Sequence, residues 1–265
     1  MRFLTKETMQ STVFRWAQLC GAVLSIMVVG GGMSFAQSEN SRSVFYSQTW
    51  FTYTGNHHIA DSRFALDVEI TDRVSDFDSG AHQFQTRFGL LYDITKSRSI
   101  RAGGGYVFSR VAAGSRAGGL IVPEHRSWEQ LALRHHTEQV AFTHKLRVEQ
   151  RWVGTNTDLE GENRIHDYTY RNRFRYAMRA VLPLNWQSES KFYTAIQNEV
   201  MLNFGKNVVN TFDQNRLSVV LGYRTGQVGS LEAGYQLQTV SANSAPPQNR
   251  HVLLINFRSD QDLKW

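Results

Sequence analysis

Asp167-Tyr168-Thr169-Tyr170-Arg171-Asn172-Arg173-Phe174-Arg175-Tyr176-Ala177-Met178-Arg179-Ala180-Val181-Leu182 decides the fold. Tyr168, Tyr170, Phe174, Tyr176 and Met178 occupy even positions, and Arg171, Arg173, Arg175 and Arg179 occupy odd ones. An α-helix would wind both sets around its axis, whereas an extended strand sends alternate side chains to opposite faces. The segment therefore predicts a strand with one aromatic face and one arginine face.

The same period of two recurs along the chain. Ser62–Arg73 sets Phe64, Leu66, Val68 and Ile70 against Arg63, Asp67, Glu69 and Arg73. Gln83–Asp93, Ser99–Ser109, Val140–Trp152, Lys191–Phe204, Phe212–Thr225, Gly229–Thr239 and Arg250–Arg258 alternate likewise. With Gln48–Thr54 and Arg126–His136 the reading gives eleven strands, most of them near the ~9–11 residues that a tilted membrane strand needs. Pro123, Pro183, Pro246 and Pro247 all fall in predicted connections, as ladder hydrogen bonding favours. Short connections (Asp93–Arg98, Thr137–Gln139, Pro183–Ser190, Thr225–Ser230) alternate with long ones (Arg110–His125, Val153–His166, Gly205–Thr211, Val240–Asn249). This is the pattern of an antiparallel up-and-down transmembrane β-barrel, with a soluble β-sandwich as the alternative for the strands alone. A barrel with both ends in the periplasm requires an even number. The expectation is therefore twelve strands, with Arg42–Tyr46 as the extra one, and ten as the alternative. Leu253, Ile255 and Phe257 continue to Leu263 and Trp265 as an apolar terminal strand, unless that strand ends at Phe257 with a short tail behind it.

The start of the chain supports export. Arg2, Lys6 and Arg15 precede an apolar stretch from Leu19 to Met33, and Ser34-Phe35-Ala36 supplies a small-residue cleavage site. Residues 1–36 are expected to be a cleaved signal peptide and residues 37–265 the barrel. Gly30, Gly31 and Gly32 interrupt a run already too short for a membrane-spanning helix. The segment carries Cys20, the only cysteine of the 265 residues, so the mature chain has no disulfide, cysteine nucleophile or cysteine metal site. Its removal lowers the formal charge from +6 to +4.

Several landmarks carry a family resemblance. These are Glu124-His125-Arg126-Ser127-Trp128, His144 to Arg151, and Asn172-Arg173-Phe174-Arg175-Tyr176 followed by Pro183-Leu184. Asn198-Glu199-Val200, Phe212 to Leu217, and Leu231 to Gln236 complete the set. In this order they resemble domain-of-unknown-function family 2490, predicted bacterial outer-membrane barrel-like proteins. The resemblance spans most of the mature chain and implies a barrel fold. It implies no activity, catalytic residue or cofactor.

With apolar faces outward, the charged faces point into a lumen, because charge on the lipid face costs ~2–4 kcal/mol near the midplane for Arg or Lys. The expected lumen network is Arg147, Glu149, Arg151, Arg171, Arg173, Arg175, Arg179, Glu199, Arg216 and Glu232. Two readings stay open: a structural network of Arg–carboxylate pairs, or a narrow pore whose basic interior favours small anionic solutes. Expected partners are outer-membrane lipids and lipopolysaccharide of a Gram-negative cell, with periplasmic chaperones and the barrel-assembly machinery. The alternative class is an outer-membrane lipid hydrolase or acyltransferase built on Ser and His, as near His125-Arg126-Ser127, though no signature of such enzymes stands in the sequence. His57-His58 is expected in a turn and His135-His136 on a strand, where neighbours point apart, so neither is assigned a metal. Arginines spaced by two between aromatics in an exported chain do not form a nucleic-acid surface. Gly103-Gly104-Gly105 precedes no helix and is expected to relieve crowding or bend a strand. Trp152, Tyr168, Tyr170 and Trp186 are expected in interfacial aromatic girdles.

Overall fold

The computed structural model describes residues 46–75, 81–110, 121–156, 165–184, 190–226, 228–241 and 247–261. The expected signal peptide, the candidate strand residues before Tyr46, Trp186, Leu263 and Trp265 lie outside them. Among the described residues the chain is all β. The strands are β1 (Tyr46–His58), β2 (Phe64–Ser75), β3 (His82–Thr95), β4 (Arg98–Arg110), β5 (Ile121–His136) and β6 (Ala141–Asn156). They continue as β7 (Ile165–Pro183), β8 (Phe192–Phe204), β9 (Phe212–Arg224), β10 (Ser230–Val240) and β11 (Gln248–Ser259). Each strand pairs antiparallel with the next, and β1 pairs with β11 to close the barrel.

The strand number is eleven, not the expected twelve or ten. An even count is required only where both ends of the barrel lie at one rim, which makes the closing pair antiparallel. Here the closing pair is parallel, running in register from Tyr46↔Arg250 to Gly55↔Ser259. A parallel seam satisfies the ladder of both edge strands, so an odd count leaves no open edge. Two local expectations also change. Pro123 lies inside β5, opposite Phe108 of β4, while pairing of β5 with β6 begins only at Glu124. Its missing N–H therefore falls where only one neighbour is paired. His57 and His58 end β1 and are not in a turn: His57 bonds Tyr53 and the Gln261 carbonyl, and His58 lies 3.9 Å from Asp93. β11 ends at Ser259, close behind Phe257.

Strand register puts the four shortest connections at one rim. Two residues join β3 to β4, and four join β5 to β6. The opposite rim, shared with the start of β1, carries connections of six to ten residues, whereas the connection from β7 to β8, with eight, is the one long member at the short-turn rim. The shortest strand has 11 residues. At ~3.3 Å per residue and ~40° tilt it rises ~28 Å along the barrel axis.

The alternation sorts side chains as the sequence implies. Phe88, Phe192, Leu221, Leu231 and Leu253 stand exposed on the outer wall, whereas Arg87, Arg101, Glu149 and Arg173 are buried. One interior patch is apolar: Trp50, Tyr193, Ala195, Val220, Val252 and Leu254 pack together across β8, β9, β11 and β1. Glycines make room for the interior aromatics. A Cβ on Gly222 would meet the Tyr193 ring at 2.1 Å, and one on Gly89 would meet Trp128 at 2.7 Å. Gly104 faces less crowded space, with its nearest neighbour at 3.4 Å.

Gly222→Val should therefore destabilise the barrel by about 2 kcal/mol through overpacking, and Gly104→Ala by much less. Urea unfolding of the detergent-refolded protein reads the difference. Equal midpoints for the two variants would remove the assigned role of Gly222.

Candidate functional site

The interior charges are placed by strand register. Glu149 on β6 faces Arg173 on β7, and Glu199 on β8 faces Arg216 on β9. Arg175 reaches diagonally between them. Residues directly opposite or two apart on neighbouring strands are close enough for side-chain contact. No local motif brings these groups together; the ladder does.

Glu149 is the centre. Its side chain is 0% exposed. Arg173 donates to its Oε2 from Nη2 at 2.6 Å and Nε at 2.9 Å, and Arg175 Nη1 donates to Oε1 at 2.7 Å. Arg87 and Arg147 approach the same carboxylate at 3.7 and 3.8 Å. Arg175 also binds Glu199 through Nη2 at 2.5 Å and Nε at 3.1 Å, and Arg216 reaches the other oxygen at 3.2 Å. Arg87 pairs with Glu69. A buried carboxylate is tolerable only when it is multiply hydrogen-bonded and paired.

The network continues toward both rims. On the long-connection side, Glu124 accepts from Arg126 Nε and Arg151 Nε, each at 2.5 Å, and Arg173 reaches Asp213 at 2.9 Å. On the short-turn side, Arg101 binds Asp67 at 2.5 Å. There Glu232 receives Arg179 Nη2 at 2.5 Å and the Tyr193 hydroxyl at 2.8 Å, with Arg258 at 3.1 Å. Two tryptophans stack on guanidinium groups. Arg147 lies 4.4 Å from the Trp128 ring, and Arg73 and Arg216 lie 3.9 and 4.9 Å from that of Trp50. Several donors in this packed interior stay without a hydrogen-bond acceptor, among them Arg73 Nε and Arg87 Nη1.

Two cavities lie within the wall. A central one of about 150 Å³ is lined by Arg73, Arg87, Arg147 and Arg216 with Glu69 and Glu199. A larger one of about 900 Å³ occupies the short-turn end. Both are bordered by Lys145, Arg179 and Arg258.

Of the residues expected from sequence, Arg147, Glu149, Arg173, Arg175, Glu199 and Arg216 meet in the central cluster. Arg179 and Glu232 pair nearer the short-turn rim, and Arg151 pairs with Glu124. Arg171 is exposed and borders a small rim pocket with Asn203 and Asp213. Sequence reasoning left out Asp67, Glu69, Arg87, Arg101, Glu124, Arg126, Asp213 and Arg258. The alternation already placed Asp67 and Glu69 on a polar face. Glu124 was out of reach because the predicted strand began at Arg126 instead of Ile121.

On the outer wall His125 sits between Tyr106 and Tyr168 at 4.7 and 5.3 Å, while Ser127 donates to Gln150 at 2.7 Å. Gln150 in turn donates to Glu129 at 3.1 Å. Trp152 and Tyr170 pack at 5.3 Å near the long-connection rim. Phe64–Tyr92 and Phe192–Tyr223 pack at 5.0 and 4.9 Å near the other.

Glu149→Gln removes the charge shared by four arginines and should cost about 3 kcal/mol. Glu138→Gln, on an exposed turn, should be neutral within about 0.5 kcal/mol. Similar urea midpoints for the two would refute the central role of Glu149.

A family model described as "Protein of unknown function (DUF2490)" matches residues 47–250. No curated protein and no solved structure matches the chain.

Proposed function

The chain belongs to the DUF2490 family, and we propose that it is an outer-membrane β-barrel with a closed, net-cationic interior: a structural envelope protein, not an open diffusion pore. The observation that carries this reading is the burial of Glu149 among Arg87, Arg147, Arg173 and Arg175. Their contacts reach across the interior from β3 to β6 and β7 at mid-height.

Membrane insertion is supported by the inversion of the wall. Phe88 and Leu221 are each 54% exposed, while Arg87 is 3% exposed. A largely apolar exterior of this kind, interrupted by the Ser127–Gln150–Glu129 group, is unfavourable in water and favourable in lipid. Aromatic pairs near both rims suit the two interfaces, and the shortest strand matches the ~25 Å apolar band of such barrels. The preceding apolar segment with its small-residue site suits export of the chain to the outer membrane. Any solute admitted to the interior meets more arginine than carboxylate, so the interior favours anions over cations.

Purified protein should fractionate with the outer membrane and migrate faster on gels unheated than heated. In planar bilayers it should give no sustained open-channel current. Recovery in the soluble periplasmic fraction overturns the membrane assignment, and a stable ohmic conductance overturns the closed lumen.

A further inference from the structure

We propose that the chamber at the short-turn end is a binding site for a small, multiply charged oxyanion, with the Lys145 ammonium as its anchor. The chamber holds about 900 Å³, within the range of pockets that enclose small molecules. Seven Lys and Arg side chains line it, against the carboxylates of Asp93 and Asp260. Two further carboxylates hold some of these cations from behind, Asp67 on Arg101 and Glu232 on both Arg179 and Arg258. Seven cations against four carboxylates leave an excess of three positive charges around one cavity.

The excess is positioned, not diffuse. Lys145 stands at the inner end, where the chamber meets the central cavity. Among the described residues its ammonium forms no hydrogen bond or ion pair; Asp67, which acts on it electrostatically, is bound by Arg101. Arg101 Nε is buried beside it without a hydrogen-bond acceptor, and Arg258 Nε, 3.1 Å from Glu232, completes the cationic wall. Arg63 and Lys96 stand at the rim, in the β1–β2 and β3–β4 turns. Unpaired cations in a recess of reduced dielectric attract an anion far more strongly than the same charges in water. A ligand with two or more oxyanion charges can meet the inner ammonium and the rim cations together, whereas chloride can meet only one. With the central ion-pair cluster closing the path beyond, the ligand enters and leaves by the short-turn rim. This rests on the closed interior proposed above, but not on membrane insertion.

Inorganic pyrophosphate titrated calorimetrically into the folded, detergent-solubilised protein at low salt tests the site. One saturable event is expected. Lys145→Met keeps the aliphatic stem and should weaken it roughly tenfold, the effect of losing a charge-assisted contact. Lys206→Gln, on the connection at the opposite rim, should leave the affinity unchanged. Wild-type protein supplies a second measurement that needs no variant. Bound pyrophosphate should slow acylation of Lys145, read by mass spectrometry, while Lys206 reacts as before. Absence of saturable heat, equal weakening by both substitutions, or unaltered Lys145 acylation overturns the proposal. None of these outcomes alters the fractionation or conductance results, so the two readings fail separately.

Discussion

The structure depends on one constraint: charged groups inside a closed sheet must satisfy one another. Glu149 has no exposed side-chain surface, and its two oxygens are shared among guanidinium groups from β3, β6 and β7. Desolvating one carboxylate and one arginine costs several kcal/mol per ion, and a single contact does not recover it. Multiple, charge-assisted contacts do. Arg175 is the clearest case, since it binds Glu149 on one side and Glu199 on the other. A slip of one residue between β6 and β7 would turn Glu149 outward and Val148 inward. The same slip would put arginine on the apolar wall. Interior pairing and exterior apolarity therefore specify one register together.

The odd strand number places the two ends of the barrel at opposite rims. With β1 and β11 parallel, β1 begins at the long-connection rim and β11 ends at the short-turn rim. The interior has the same direction. Toward the long connections, Glu124, Arg126, Arg151, Arg173 and Asp213 are tied together. Toward the short turns the ties thin out and the 900 Å³ chamber opens. Tyr193 over Gly222 of the adjacent β9, and Trp128 of β5 over Gly89 two strands away on β3, show how space for bulky interior groups is made by deleting a side chain. The Gly103 and Gly105 positions, read from sequence as relief of crowding, fit that account: a Cβ at either would lie within 2.7 Å of β3 backbone or side-chain atoms.

Strand identity was legible because alternation is a local property. All eleven segments were recoverable from side-chain type, and Asp167–Leu182 needed only two more residues at its start and one at its end. Closure was not legible, since whether β1 meets β11 in parallel depends on the whole ladder and leaves no mark in either strand. Pro123 misled for a related reason. Its place in β5 is permitted by the absence of a β6 partner there, a fact about the neighbour and not about the residue. The inward residues of β6 and β7 stood out through density, four arginines in nine positions. Arg87 and Arg101 did not, because each is the lone strong charge on the inward face of its segment's centre. Val252 and Leu254 were also hidden: β11 has apolar residues on both faces, and only contact with Trp50 marks them as interior.

The surplus of cations is the point at which a purely structural account of the interior becomes incomplete. A network that served only to fill the barrel would gain from balanced charge, because each unmatched cation adds desolvation cost and repels its neighbours. Around Glu149 and Glu124 each arginine at least reaches a carboxylate, which it shares with its neighbours. Pairing fails around Lys145, which lies among Arg101, Arg147 and Arg258 with no carboxylate in contact among the described residues. Lysine is also the less suitable residue for a packed ion-pair lattice, since its compact, strongly hydrated ammonium cannot bridge two carboxylates as the Arg175 fork does. Its position beside a cavity, instead of within the lattice, is what a mobile anion would neutralise. Stability and occupancy are then opposed at this one place: the empty chamber stores electrostatic repulsion, and an oxyanion entering from the short-turn rim relieves it.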